Sequence, residues 1–351
     1  MIVLCANDTS WDYERDRLVP GGQGDRYLTP ILRHLPKDAR IMRQPVPGAT
    51  CALMNHWSTY RRNAQRDVKV SVMISHGIAD KNYRSAWRAV HYTYTVYPGP
   101  ALADRAIADG LDPRRVRVLG YPKLDPIFAG EVASPWPERD GRIRVLWAPT
   151  HGGGSERFPE GKRDAPGAQA TTWWHRETIL RLLDPDRHLV MEAPHPRHSP
   201  GRQATLAQYV GADVVIADGG STIYESWALG LPVVFPRWLT AHRNLTRAGG
   251  RLLEHDVYAR RVGWHADSPD QLADLVDRAA AEGISDLERR FAHWVLPEEL
   301  RGHGGKLHAE CLMEVDSGSA GDLGRPASPR HRARQQRGAV DAARRRLQLG
   351  P

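Results

Sequence analysis

Cysteine is scarce in this chain of 351 residues: the three present, Cys5, Cys51 and Cys311, stand far apart. None belongs to a CxxC or Cys/His spacing, which excludes a disulfide framework and a zinc knuckle and fits a reducing compartment. Long apolar runs are missing too. No stretch reaches the roughly 18 residues that a spanning helix needs. The opening Met1-Ile-Val-Leu-Cys-Ala turns polar at Asn7 and Asp8, too soon for the apolar centre of a signal peptide. The expectation is a cytoplasmic protein that at most rests on the inner face of a membrane. No Walker A sequence, HExxH or GxSxG occurs, which removes the commonest signatures of phosphate-loop, zinc-protease and serine-hydrolase chemistry.

What is present is enough for a sizeable core. Hydrophobic residues make up 41% and charged residues 26% of the chain, a water-soluble composition, and the length favours two domains. The net charge of +8 is unevenly spread: residues 317–351 hold eight arginines against Asp322 and Asp341, so the tail carries +6 and the body only +2. The tail is also rich in Gly, Ser, Pro and Ala, a composition that does not fold alone. It reads as a disordered basic tail. The sharper alternative is a patch for anionic lipid, with nucleic acid the less expected partner.

Along the body, short apolar runs alternate with helical patterns, as in parallel sheets flanked by helices. Strands are expected at Ile2–Ala6, Ile41–Val46, Val68–Ser75, Tyr92–Tyr97 and Val116–Leu119, and a helix at Pro100–Asp109 stopped by Gly110. After a Pro-containing linker the strands restart at Ile143–Ala148, Leu189–Glu192, Val214–Ala217 and Val233–Phe235. Ser268–Arg278 and Asp286–Leu296 read as helices that return the chain toward the first domain. The fold expected is α/β, two Rossmann-like parallel-sheet domains facing a cleft: 1–133 on the acceptor side, linker 134–142, 143–316 on the donor side, and the tail 317–351. Gly152–Gly167 reads as a loop.

Four motifs follow strand ends, where open parallel sheets bind ligands. The first runs from Val214 to Phe235 as strand, glycine turn, helix, glycine stop and strand. In it Asp218, Gly220, Ser221 and Thr222 would hold phosphate at a helix start, and Glu225 would take ribose hydroxyls. The plain alternative is an ordinary strand–helix turn with a serine cap. The second is Ser75-His76-Gly77 with Lys81: His76 as general base or as a structural strand-end histidine, Lys81 facing an anionic group. The third is Pro194-His195-Pro196-Arg197, able to bind phosphate oxygens or simply a rigid loop. The fourth is Pro149-Thr150 with the glycines after it. Asp184-Pro-Asp186 matches a DxD metal pattern but precedes a strand, and Pro20-Gly-Gly-Gln-Gly does not directly follow one; both are discounted, and no metal is required.

Taken in order, His76-Gly77 with Lys81, Val118-Leu-Gly-Tyr-Pro-Lys-Leu-Asp125, Ala148-Pro-Thr150, His195-Pro196 and Asp218 through Glu225 resemble the CDP-glycerol glycerophosphotransferases, the teichoic-acid polymerase and primase group of GT-B proteins. Ser221-Thr222 stands where that family usually has two serines, and Glu225 where aspartate is common. Gly219–Val234 also resembles the non-hydrolysing UDP-N-acetylglucosamine 2-epimerases. The resemblance implies a GT-B fold with no cofactor and transfer of a glycerol or related polyol phosphate from a CDP-linked donor to the hydroxyl of a polymer or glycolipid, with release of CMP. His76 would take the proton, and His195, Arg197, Ser221 and Thr222 would hold the pyrophosphate. A UDP-sugar transferase or epimerase, and a non-catalytic nucleotide-fold protein, remain the alternatives.

Overall fold

A computed structural model describes residues 1–6, 10–54, 67–74, 77–79, 89–150, 171–196, 198–246 and 252–319. The first sheet has six parallel strands in the order β4-β1-β5-β6-β7-β8: β1 Ile2–Cys5, β4 Arg40–Met42, β5 Thr50–Met54, β6 Val70–Ile74, β7 Tyr94–Tyr97 and β8 Val116–Val118. Its central strands β1, β5 and β7 are buried along their whole length, as expected of strands covered on both faces. A small antiparallel hairpin, β2 Trp11–Asp12 and β3 Arg17–Leu18, lies between β1 and helix α1, Gln23–Leu32. Helices α2, Pro100–Ala108, and the short α3, Asp125–Phe128, follow β7 and β8.

The second sheet has five parallel strands in the order β10-β9-β11-β12-β13: β9 Ile143–Ala148, β10 His188–Glu192, β11 Val214–Ala217, β12 Val233–Pro236 and β13 Trp264–Ala266. Its helices are α4 Arg176–Arg181, α5 Ser221–Ala228, α6 Arg237–Thr246, α7 Leu253–Ala259, α8 Leu272–Glu282 and α9 Asp286–Val295. Ser285 and Glu288 close α9 at its start in a reciprocal capping box, which satisfies two backbone donors at once.

The last helix, α10, Gly304–Ser317, leaves the second sheet and packs on α1 and on β1, β5 and β6 of the first. This corrects the expected domain limits: the end of the segment 143–316 belongs to the first layer, and the helix runs one residue into 317–351, the rest of which lies outside the described residues from 320 on. Glycine makes the crossing possible. A Cβ on Gly304 would stand 2.7 Å from the Pro122 nitrogen, and one on Gly305 would stand 2.6 Å from the Pro30 oxygen, so only bare backbone lets α10 approach this closely. The Asp125 carboxylate then accepts the Gly304 and Gly305 amides at 3.1 and 2.6 Å, satisfying the free donors at the helix start. Deep in the same layer, the Tyr27 hydroxyl meets His308 Nε2 at 3.2 Å.

The linker 134–142 has no regular structure, as expected, but it is anchored. Trp136 is buried and donates its indole N–H to the Gln208 carbonyl at 2.9 Å.

Candidate functional site

Four residues of the expected site, Asp218, Gly220, Ser221 and Thr222, lie around the start of α5, at the C-terminal end of β11. Ala217 ends the strand, and Gly220 turns the chain with φ +81 and ψ −161, a region of backbone space open almost solely to glycine. The cap of α5 is therefore Gly220, with no side chain capping the helix; Ser221 is its first helical residue, not its cap as expected. Ser221 and Thr222 are half-buried, and no acceptor for their amides occurs among the described residues.

Gly77, at the end of β6, lies against this helix start. A Cβ there would come within 2.8 Å of Ser221 Oγ. Two motifs 144 positions apart, one in each half, thus meet face to face where the C-terminal ends of both sheets converge. His76 and Lys81 lie outside the described residues. His195 is half-buried at the end of β10, and its carbonyl accepts the amides of His198 and Ser199 at 2.7 and 3.1 Å in a tight turn; Arg197, inside that turn, lies outside the described residues.

Three expected ligand contacts have other duties. Asp218 is fully buried. Its carboxylate accepts the Thr150 amide at 2.8 Å and, on the other oxygen, the Thr172 amide and hydroxyl at 2.6 and 3.0 Å, so it ties the end of β9 to the segment before α4. Thr150 is itself 4% exposed and serves this tie. The Gly220 amide is taken at 2.7 Å by the buried carboxylate of Glu254, a residue that the sequence reading missed. That leaves the amides of Ser221 and Thr222 as the donors of the turn with no acceptor among the described residues.

Glu225 is the larger correction. It is 1% exposed, and its carboxylate accepts from the Tyr121 hydroxyl at 2.9 Å, the Lys123 ammonium at 2.7 Å and the Tyr209 hydroxyl at 2.8 Å. With both oxygens occupied and no path to solvent, it is not a ribose acceptor. It is the centre of a buried junction between the two domains. Burial, then the neighbouring carboxylate, pushes the Tyr121 and Tyr209 phenols well above their ordinary range, so both remain donors at all physiological pH values. The stretch Gly120–Asp125 contributes throughout: Tyr121 and Lys123 hold α5, while Asp125 holds α10.

The Pro20–Gly24 turn, discounted from sequence, also reaches the second domain. The Gln203 side chain donates to the Pro20 carbonyl at 3.0 Å, and the Ala204 amide donates to the Gly21 carbonyl at 3.1 Å. Asp184-Pro-Asp186 lies at the opposite end of the sheet, before β10, where the Asp184 carboxylate accepts the Asp186 amide at 2.9 Å in a plain turn.

No protein-family model matches the chain, and no curated protein matches it in sequence. Among solved structures, the wall teichoic acid polymerase TagF aligns over 91% of this chain and 90% of its own, at 12% identity with a TM-score of 0.57 for its H548A form. TagF H444N soaked with CDPG aligns with 11% identity and a TM-score of 0.55, over 91% and 90% of the two chains. The fold is GT-B. A co-structure of S. aureus MnaA with UDP aligns over 93% of this chain and 99% of its own at 10% identity, with a TM-score of 0.48. In this TagF-like fold the convergence of Gly77 and Ser221 marks the cleft between the two sheets. Among the described residues, no helix is long and apolar enough to cross a membrane, and no group of three or more His, Cys, Asp or Glu side chains could hold a metal ion.

Proposed function

We propose that the chain transfers glycerol phosphate, or a related polyol phosphate, from a CDP-linked donor to an acceptor hydroxyl on a polymer or glycolipid, releasing CMP. The observation that carries this reading is the apposition of Gly77 and Ser221 across the cleft of a TagF-like fold. In that contact Gly77, the residue after His76 in sequence, lies beside the helix start of the second domain. The TagF form solved after soaking with CDPG supports the choice of donor.

In this reading the acceptor oxygen attacks the phosphorus that carries the polyol. One P–O bond forms, the bridging P–O bond of the pyrophosphate breaks, and the acceptor proton passes to the His76 imidazole. The amides of Ser221 and Thr222, with the dipole of α5, meet the charge that develops on the departing CMP, assisted by His195 and Arg197. Catalysis is then chiefly positioning and electrostatics, the general case for phosphoryl transfer. The Glu225 junction sets the height and tilt of α5, and with them the placing of Ser221. Residues 317–351 would supply peripheral attraction to anionic lipid.

The test is a melting-shift panel of CDP-glycerol, CDP, CMP and UDP-linked sugars, followed by assay of CMP release. A ligand at 100 times its dissociation constant stabilises by about 2.7 kcal/mol. Shifts confined to UDP compounds, or no CMP release from CDP-glycerol with any hydroxyl acceptor, would overturn the proposal.

A further inference from the structure

Helix α5 begins without help from its own side chains. It has no side-chain cap and no acidic residue in its first turn, and the turn before it is a pair of glycines, the residue with the widest choice of backbone conformation. That turn is nevertheless held on both sides by α7. Before it, the Asp218 carbonyl accepts the Tyr258 hydroxyl at 3.1 Å, along with the Asn244 side-chain amide at 3.0 Å. After it, the Gly220 amide donates to Glu254 Oε1 at 2.7 Å. Both Glu254 oxygens lie 3.4 Å from where a Cβ on Gly219 would stand, so the carboxylate rests on the turn itself. Glu254 and Tyr258, both fully buried, are four positions apart on α7 and so share one face of it.

We infer that Glu254 is a positioning residue of the cleft: with Tyr258 it clamps the Gly219–Gly220 turn so that the amides of Ser221 and Thr222 meet the phosphates of a bound nucleotide, and the first domain sets this clamp through Arg105. The inference rests on the nucleotide-donor reading of the site. A peptide between two glycines rotates easily, and its rotation would carry the start of α5 with it. Glu254 takes the one N–H of that peptide and fixes its orientation ahead of any ligand, which lowers the ordering cost of binding. The acceptor comes from 34 positions along the chain, so the turn is set only when α7 is in place.

The placing of α7 depends in turn on the first domain. Asp256 follows Glu254 by two positions, about 200° around a helix, and projects from the opposite side of α7. Its Oδ2 accepts Arg105 Nη2 of α2 at 2.8 Å, with both side chains half-buried. Helix α2 has little freedom of its own: a Cβ on Gly99, the residue that caps it, would overlap the Val295 carbonyl oxygen at the end of α9. A shift of α2 therefore reaches the Gly220 amide through Arg105, Asp256 and Glu254.

The experiment measures dissociation constants of CDP-glycerol, CMP and cytidine for the full chain and for Glu254→Ala, Glu254→Gln, Tyr258→Phe and Arg105→Gln, each checked for a cooperative melt. Glu254→Ala strips the buried Gly220 amide of its acceptor and should weaken CDP-glycerol and CMP about tenfold or more, while cytidine, which has no phosphate, changes less than about threefold. Glu254→Gln keeps an oxygen acceptor in place and should recover affinity to within about threefold of the unaltered chain. Tyr258→Phe loosens the other side of the turn, should weaken CDP-glycerol about three- to tenfold, and stands in where Glu254→Ala does not fold. Arg105→Gln should weaken CDP-glycerol about threefold alone and not at all when added to the clamp variant, because the step it acts through is already lost. Unchanged CDP-glycerol affinity in the folded clamp variant, glutamine no better than alanine, or equal losses for cytidine would overturn the role of Glu254. No effect of Arg105→Gln, or an undiminished effect in the double variant, would overturn the link to the first domain. If UDP-linked sugars bind and CDP compounds do not, the transferase reading alone fails and the same variants are read with the UDP compound. If CDP-glycerol binds and no clamp variant alters it, this inference alone fails; if no nucleotide binds, both fail.

Discussion

Replacing Lys123 by methionine tests the junction that positions the site. The Lys123 and Glu225 side chains are 8% and 2% exposed and meet at 2.7 Å, so removing the ammonium strands a carboxylate away from water. Breaking a buried pair from one side costs about 3–5 kcal/mol, against about 0–1 kcal/mol for an exposed pair. The two tyrosines soften but do not cancel this cost, since a hydrogen bond to a charged group is worth about 1.5–3 kcal/mol. Lys123→Met should therefore lower stability by about 3 kcal/mol or more, read as a shift in urea midpoint at constant slope. Adding Glu225→Gln should restore part of the loss: the amide oxygen still accepts from one of the two tyrosines, the amide NH₂ can donate to the hydroxyl oxygen of the other, and no charge remains buried. CDP-glycerol affinity should fall in the single variant and partly recover in the double. A cost within about 1 kcal/mol for Lys123→Met, or a double variant less stable than the single, would refute the reasoning, because it would mean that the junction is open to solvent.

Asp218→Asn should destabilise by at least about 2 kcal/mol, since one amide cannot satisfy the three donors of Thr150 and Thr172; urea denaturation measures this without any ligand. Gly220→Ala should cost about 1–3 kcal/mol because alanine is strained at φ +81 and ψ −161. Gly77→Ala should change stability little, because the Ser221 hydroxyl 2.8 Å from the new Cβ can rotate away, yet it should weaken donor binding, as a melting-shift titration would show. Burial pushes His265 and His308 down to about 4 from 6.5. The unfolded chain therefore binds more protons in that window, and stability falls as pH drops from about 6.5 to about 4, by about 3 kcal/mol for each histidine. Asp125, pushed up to about 6 by burial, acts the opposite way below that pH. Comparing urea midpoints of the unaltered chain and His265→Gln from pH 7 to 4.5 isolates the histidine contribution: the variant should lose less stability on acidification.

The sequence alone determined most of the framework. Val214–Ala217 is buried on both faces and reads as an uninterrupted apolar run bounded by turn residues, and Ile143–Ala148 reads as such a run broken only by Arg144. The succession from Val214 to Phe235 likewise appears in full: β11, α5, a Gly230 at φ +78 and β12. Apart from the two-residue strands of the β2–β3 hairpin, two strands escaped notice for local reasons. β5, Thr50-Cys-Ala-Leu-Met, has as much helical as strand composition, and β13 is three residues long. Helix α10 was hidden because Gly304-Gly305 reads as a breaker, and only the contact with Pro30 and Pro122 shows why those glycines begin a helix. The polar residues divide on the same line. Ser221 stands at the helix start its local pattern implied, as the first helical residue in place of the cap. Asp218 and Glu225 did not, because the fate of a carboxylate depends on the partners folding brings to it, and Lys123 lies 102 positions from Glu225. Local pattern sets where backbone turns and helix ends fall; which charges are buried, and on whom they are spent, is decided only when distant segments pack together.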